Sequence, residues 1–190
     1  MSDLEQQHVD VLIVGAGLSG IGAAHHLQER CPGESFLLLE ARESTGGTWD
    51  LFRYPGIRSD SDLYTSGYRF KPWVGPPIAS AEEILTYVGE VIEDNGLERH
   101  IRYGHRIRTA HWSSADNLWT VETEHTDPDT RKTDTARFTA NFLWMCQGYY
   151  RHSEGYTPEW PGMADFRGEI VHPQTWPEDL AYQGKRVIVI

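Results

Sequence analysis

Two rhythms of apolar residues organise the start of the chain. Val9 to Val14 is a short, nearly continuous, β-branched run of the kind buried on both faces of a parallel sheet, and glycines follow at once. Leu18 to Arg30 then places Leu18, Ile21, Ala24 and Leu27 at helical spacing and stops before Pro32-Gly33. Phe36 to Glu40 is a second buried-strand run. The pattern therefore predicts a β-α-β unit, the opening of an α/β fold with a parallel sheet.

From Ala41 to Pro77 periodicity fades while glycine, proline and aromatic residues accumulate, which predicts a long connection lying against the body rather than a free loop. Ser80 and Glu83 form a capping box, and Ile84, Leu85, Val88, Val91 and Ile92 follow at helical spacing until Asn95-Gly96. Strand-like stretches at Ile101 to Trp112, Leu118 to His125 and Ala136 to Thr139 predict an antiparallel meander. Phe142 to Cys146 predicts a further buried strand that returns the chain to the parallel sheet. Residues 149–183, rich in proline, tryptophan and tyrosine, read as a linker over a surface. Gly184 to Ile190 repeats the character of Val9 to Val14 and predicts a buried strand opening a second dinucleotide fold. A chain that stops inside such a strand is expected to be a fragment.

Charge narrows the function. Seventeen Lys and Arg against 28 Asp and Glu give a formal net charge of −11, without the basic face that a nucleic acid or anionic membrane requires. No apolar run approaches the roughly 20 residues of a membrane-spanning helix. The polar, acidic start lacks the features of a secretory signal. Two cysteines, Cys31 and Cys146, form neither a disulfide framework nor a metal cluster, and a reducing cytoplasm is the expected compartment.

Gly15-Ala16-Gly17-Leu18-Ser19-Gly20 is G-x-G-x-x-G between strand and helix. Its glycines allow the tight turn, admit a pyrophosphate to the backbone and let the helix pack on the strand, with phosphate over the positive helix end. Glu40, ending the second strand, is placed to accept hydrogen bonds from adenosine ribose hydroxyls and to repel a 2′-phosphate, which favours FAD or NAD over NADP at this first site. Gly46-Gly47-Thr48-Trp49 offers close backbone approach and a flat apolar face, which suits a flavin ring better than a nicotinamide. Arg58 and Asp60, beside the turn at Pro55-Gly56, either contact cofactor or form a surface ion pair; spacing alone favours the latter. His172 lies between aromatic anchors in the linker. The other histidines show no metal-ligand spacing, and the adjacent His25 and His26 are expected to face different sides of their helix.

Together these motifs, with Arg53-Tyr54-Pro55-Gly56 and above all Phe166-x-Gly168-x-x-x-His172-x-x-x-Trp176-Pro177, resemble the type I Baeyer–Villiger monooxygenases, class B flavoproteins. Asp50 to Asp60 and His172 to Leu180 resemble the subgroup that includes the ethionamide-activating monooxygenase. The resemblance implies a Rossmann-like FAD-binding domain at 1–148, a linker at 149–183 and the first strand of an NADPH-binding domain at 184–190. It implies FAD and NADPH as cofactors. The implied reaction uses O₂, through a C4a-peroxyflavin, on a small-molecule ketone, sulfide or thioamide. By the same resemblance Ser19, Glu40, Thr48, Trp49, Asp50, Leu51, Asp60 and Ile107 contact FAD. Arg58, Ser59 and Asp60 lie beside the nicotinamide, and His172 couples NADPH binding to domain movement. Asp60 also helps position a catalytic arginine that, with the second glycine fingerprint and most of the substrate pocket, lies beyond Ile190 in the family. Cys146-Gln147-Gly148 departs from the Ala-Thr-Gly of many relatives.

Two other readings stay open at this level. A pyridine-nucleotide disulfide reductase shares the opening fold but needs a redox cysteine pair near the flavin. A piece without catalytic activity, binding flavin weakly because its partner domain is missing, fits the expected truncation.

Overall fold

The computed structural model describes residues 6–127 and 129–190. Strand β1 (Gln6–Val14) leads through the glycine turn into helix α1 (Leu18–Arg30), and β2 (Phe36–Leu39) follows. Two one-turn helices come next, α2 (Thr48–Leu51) and α3 (Leu63–Ser66), before the long helix α4 (Ala81–Asp94). A 3-10 turn at Leu97–His100 precedes β3 (Ile101–Arg102), β4 (His105–Ser113), β5 (Leu118–Thr126) and β6 (Thr133–Met145). The strands form one sheet in the order β3-β2-β1-β6-β5-β4, parallel from β3 to β6 and antiparallel from β6 to β4.

The expected meander and parallel sheet are thus one sheet, joined by β6. The sequence divides this strand at Ala140-Asn141, but the backbone runs through. Thr133 to Ala140 pair with β5, while Arg137 to Met145 pair with β1, so Arg137 to Ala140 are hydrogen-bonded on both sides. The expected Ile101 to Trp112 strand, conversely, splits at Tyr103-Gly104. Gly104 has φ +70°, and a Cβ there would stand 2.7 Å from the Thr126 carbonyl oxygen, so the chain turns sharply from the parallel edge into the meander.

Helices α1 and α4 cover one sheet face, where Val11, Ile13, Ile21, Leu38, Ile84 and Val91 join a common core. The capping box is present: Ser80 Oγ accepts from the Glu83 N–H at 3.2 Å, and Glu83 Oε2 accepts from the Ser80 N–H at 2.8 Å. The aperiodic connection lies against this core as expected. Tyr68 donates to the Leu18 carbonyl and crosses α1 at Gly22, where a Cβ would come within 2.9 Å of the Tyr68 ring; burial pushes the phenol pKa up.

On the opposite face Leu12, Leu37 and Leu39 join Val121, Phe138 and Ala140 of the meander. Past Asn141, Phe142 and Trp144 pair with Val11 and Ile13 of β1 but are 57% and 39% exposed, so the expected fully buried run is buried only in part. Residues 149–183 form an irregular stretch with short 3-10 turns at Met163–Asp165 and Pro173–Thr175.

Lys185 to Ile190 is not a strand. Val189 and Ile190 are each 91% exposed, and no strand pairing holds the segment. A strand requires a neighbour for its N–H and C=O groups, and this stretch lies on neither edge of the sheet.

Candidate functional site

Two glycine turns meet at the carboxyl ends of β1 and β2. The first needs glycine for steric reasons: Gly15 has φ +99° and its missing Cβ would stand 2.7 Å from the Cys146 carbonyl oxygen, while one on Gly20 would stand 1.9 Å from the Gly15 carbonyl oxygen. Gly17 is the N-cap of α1 and offers no side-chain cap; the first helical turn carries no acid. Its amides and the helix dipole are therefore free to receive an anion, with Ser19 exposed beside them.

The second turn, Gly46-Gly47, has φ +109° and +55° and abuts the first, since a Cβ on Gly47 would lie 3.3 Å from the Gly17 Cα. It starts α2, on which Thr48, Trp49 and Leu51 are half-buried, with Trp49 packed against the helix-covered core.

Glu40 ties the two turns together. It is 6% exposed; Oε2 accepts from the Ala16 N–H at 2.9 Å and Oε1 from the Arg42 N–H at 3.0 Å. A carboxylate has about four acceptor sites, so these bonds leave capacity for ribose hydroxyls. Its backbone carbonyl accepts from the His105 N–H at 2.8 Å, which brings the start of β4, and hence Ile107, to the same end of the sheet.

Sequence reasoning missed the group beneath the second turn. Asp50, 7% exposed, has its carboxylate engaged by Arg42, Ser44 and Arg53, the last at 2.6 Å. Arg42 also donates to the Gly47 carbonyl at 3.1 Å and the Asp50 carbonyl at 3.0 Å. These charges border an open cleft of about 390 Å³ that also contains Arg131. The signal was three charged residues, Arg42, Asp50 and Arg53, in a segment otherwise without periodicity. The Asp50 side chain therefore braces the turn.

Ser59 is buried and structural: its N–H donates to the Ala79 carbonyl at 2.8 Å and its Oγ accepts from the Ala79 N–H at 3.2 Å. That pairing seats Arg58 and Asp60 at the N-terminus of α4, both exposed. The surface ion pair that spacing favoured does not form, and the Asp60 carboxylate accepts only from Ser61 Oγ, at 3.3 Å, among the described residues. The chain leaving β6 crosses this region. Tyr150 meets Phe52 edge-on at 5.2 Å, and its hydrogen bond to Tyr149, burial and the neighbouring Tyr54 and Asp60 raise the Tyr150 pKa. His152 lies near Glu40: burial, Arg42 and Arg106 lower its pKa, against the pull of Glu40. Nothing in the spacing of His152 pointed here.

His172 makes its contacts within the linker. Its Nδ1 accepts from the Gln174 N–H at 3.1 Å, and its ring lies so close to Gly155 that a Cβ there would be 2.1 Å from Cε1. Cys31 and Cys146 are free thiols at opposite ends of α1, which at 1.5 Å per residue separates them by about 20 Å. They form no redox pair. Burial raises the Cys146 thiol pKa. No helix among the described residues is long and apolar enough to cross a membrane.

The strand-turn-helix with its uncapped amides, the acidic end of β2 and the parallel order around β1 define a Rossmann-like dinucleotide-binding domain. Residues 13–69 match the NAD(P)-binding Rossmann-like domain profile and residues 71–190 match that of flavin-binding monooxygenase-like proteins. The chain belongs to the flavin-binding monooxygenase-like family. It is 54% identical over 185 residues to the FAD-containing monooxygenase EthA of Mycobacterium tuberculosis, with 97% of this chain and 37% of that protein covered. It is 50% identical over 186 residues to the probable FAD-binding monooxygenase AlmA of an Acinetobacter species, at 97% and 36% coverage. In fold it is similar to the NADP⁺-bound cyclohexanone monooxygenase from Rhodococcus sp. Phi1, with TM-score 0.71 and 28% identity over 93% of this chain and 32% of that one. The chain thus spans about a third of the length of the relatives it matches.

Proposed function

We propose that this chain is the FAD-binding part of an NADPH-dependent monooxygenase that transfers one oxygen atom from O₂ to a ketone or to the sulfur of a sulfide or thioamide. The observation that carries the reading is the pair of touching glycine turns braced by Glu40 at an uncapped helix start. A Cβ at Gly15 or Gly20 would obstruct this backbone cradle, and its free amides and missing first-turn acid suit a pyrophosphate.

In this reading Gly15, Gly17, Ser19 and Gly20 bind the FAD pyrophosphate and Glu40 accepts from the ribose. Gly47, Thr48, Trp49, Asp50 and Leu51 border the flavin side, and Ile107 the adenosine side. FAD, when bound, supplies the redox centre for oxygen activation, and NADPH the reducing equivalents. Arg58 and Asp60 face the nicotinamide; the buried Ser59 takes no direct part but fixes the segment through Ala79 so that the exposed Asp60 carboxylate is free to orient a cationic partner. His172, with Nδ1 accepting from the backbone, bears its proton on Nε2 in the neutral form and has that N–H to offer the nucleotide. Residues 1–148 are the FAD domain, 149–183 the linker and 184–190 the start of the NADPH domain. Two free thiols suit a reducing cytoplasm.

The test is FAD retention by the purified chain, followed by absorbance and titration. Glu40→Ala is expected to weaken binding roughly 10- to 100-fold, the effect of losing charge-assisted hydrogen bonds. Unchanged retention removes the ribose argument. Bound FAD without NADPH consumption on a ketone or sulfide supports a binding part; sustained ester formation would show that these residues carry the whole catalytic apparatus.

A further inference from the structure

A second constellation lies along α1, away from its glycine-bound start. His25 is 5% exposed and packs face to face on Phe70, with ring centroids 3.5 Å apart and planes at 17°. His26, as expected of its neighbouring helix position, is exposed where His25 is buried, yet the two rings share a neighbour. Phe70 also meets the His26 ring edge-on at 5.6 Å, and the two imidazoles lie 5.3 Å apart. Glu29, one turn on from His25, completes the group, and ligand atoms of His25, His26 and Glu29 all lie within 4.8 Å of one another.

The hydrogen bonds of His25 fix its chemistry. Asn95, at the C-cap of α4, donates through Nδ2 to the Val91 carbonyl at 2.8 Å, so its Oδ1 is the atom facing His25 Nδ1 at 3.0 Å. Nδ1 is therefore the donor, and in the neutral ring Nε2 carries the lone pair. That buried Nε2 has no hydrogen-bond partner, although Glu29 Oε2 stands 3.3 Å away. A lone pair facing a carboxylate is unfavourable unless a cation stands between them. A proton would need only these two atoms, whereas the convergence of the His26 nitrogen on the same point suits an ion that takes several ligands.

We propose that His25 Nε2, a His26 ring nitrogen and the Glu29 carboxylate bind a divalent metal ion of the zinc class, with water in the remaining position. Two imidazoles and one carboxylate are a zinc donor set with ligand bonds of about 2.0–2.2 Å, and exposed His26 and Glu29 can rotate to close that geometry. Asn95 plays the part of the carbonyl that orients a ligating imidazole through its other nitrogen. The ion would lock the His25 ring that hydrogen-bonds Asn95 at the end of α4, independently of any flavin.

The experiment is calorimetric titration of the metal-stripped, untagged chain with Zn²⁺, alongside His26→Ala and Glu29→Gln. Both altered side chains are exposed, and circular dichroism checks that the variants keep the wild-type fold. One equivalent is expected to bind the wild type, each substitution weakening it at least tenfold, and Zn²⁺ is expected to raise the thermal midpoint of the wild type more than that of either variant. Absence of binding to the wild type, or equal affinity in all three proteins, overturns the proposal. As a second readout, Co²⁺ should give the intense visible bands of a four-coordinate site in the wild type; the weak spectrum of a six-coordinate aqua ion would equally overturn it.

Discussion

Val11 to Val14 and Val187 to Ile190 are nearly the same kind of sequence and meet opposite fates. In the first, Leu12 and Ile13 are fully buried between β2 and β6; in the second, Val189 and Ile190 are almost wholly exposed. The difference is pairing. β1 has a parallel neighbour on each side and helices α1 and α4 over one face, whereas the tail has neither. Strand preference thus measures fitness for a pleated, covered surface and does not create one.

Substitutions can break this comparison, starting in the paired body. Gly20→Val should have the largest effect, because even a Cβ would overlap the Gly15 carbonyl; loss of cooperative unfolding in calorimetry is expected. Asp50→Ala should follow, at about 1.5–3 kcal/mol in a urea titration, since it removes the charged hydrogen-bond acceptor shared by Arg42, Ser44 and Arg53 while the guanidiniums stay open to water. Ser80→Ala removes the α4 cap and should cost about 1 kcal/mol in the same measurement. Val189→Ser should change stability by less than about 0.5 kcal/mol, because the side chain touches little. A large loss at Val189 would mean that the tail is packed in solution, and the contrast with β1 would fail.

Local elements were legible wherever one physical cause sufficed. Helix α1 begins and ends at the positions that its spacing and the glycine turn indicate, and the Ser80–Glu83 box opens α4. What sequence obscured were features set by more distant partners. Asn141 reads as a break, yet β6 passes through it because β1 takes over as β5 leaves off. The Arg42–Asp50–Arg53 group depends on a chain reversal at Gly46-Gly47 that spacing does not reveal. His25 and His26 do take a buried and an exposed position as helical geometry indicates, but that Phe70, from the aperiodic connection, touches both rings could not be read from spacing. At the glycine fingerprint the agreement was closest, because the tightest exclusion there, Gly20 against the Gly15 carbonyl, acts between residues near in sequence.

Glu40 gives the two glycine turns a shared fastening. One carboxylate clasps Ala16 with one oxygen and Arg42 with the other, so slack in either loop is transmitted across a single side chain. Natural variation in one turn is then constrained by the other, and the pair should drift together or not at all.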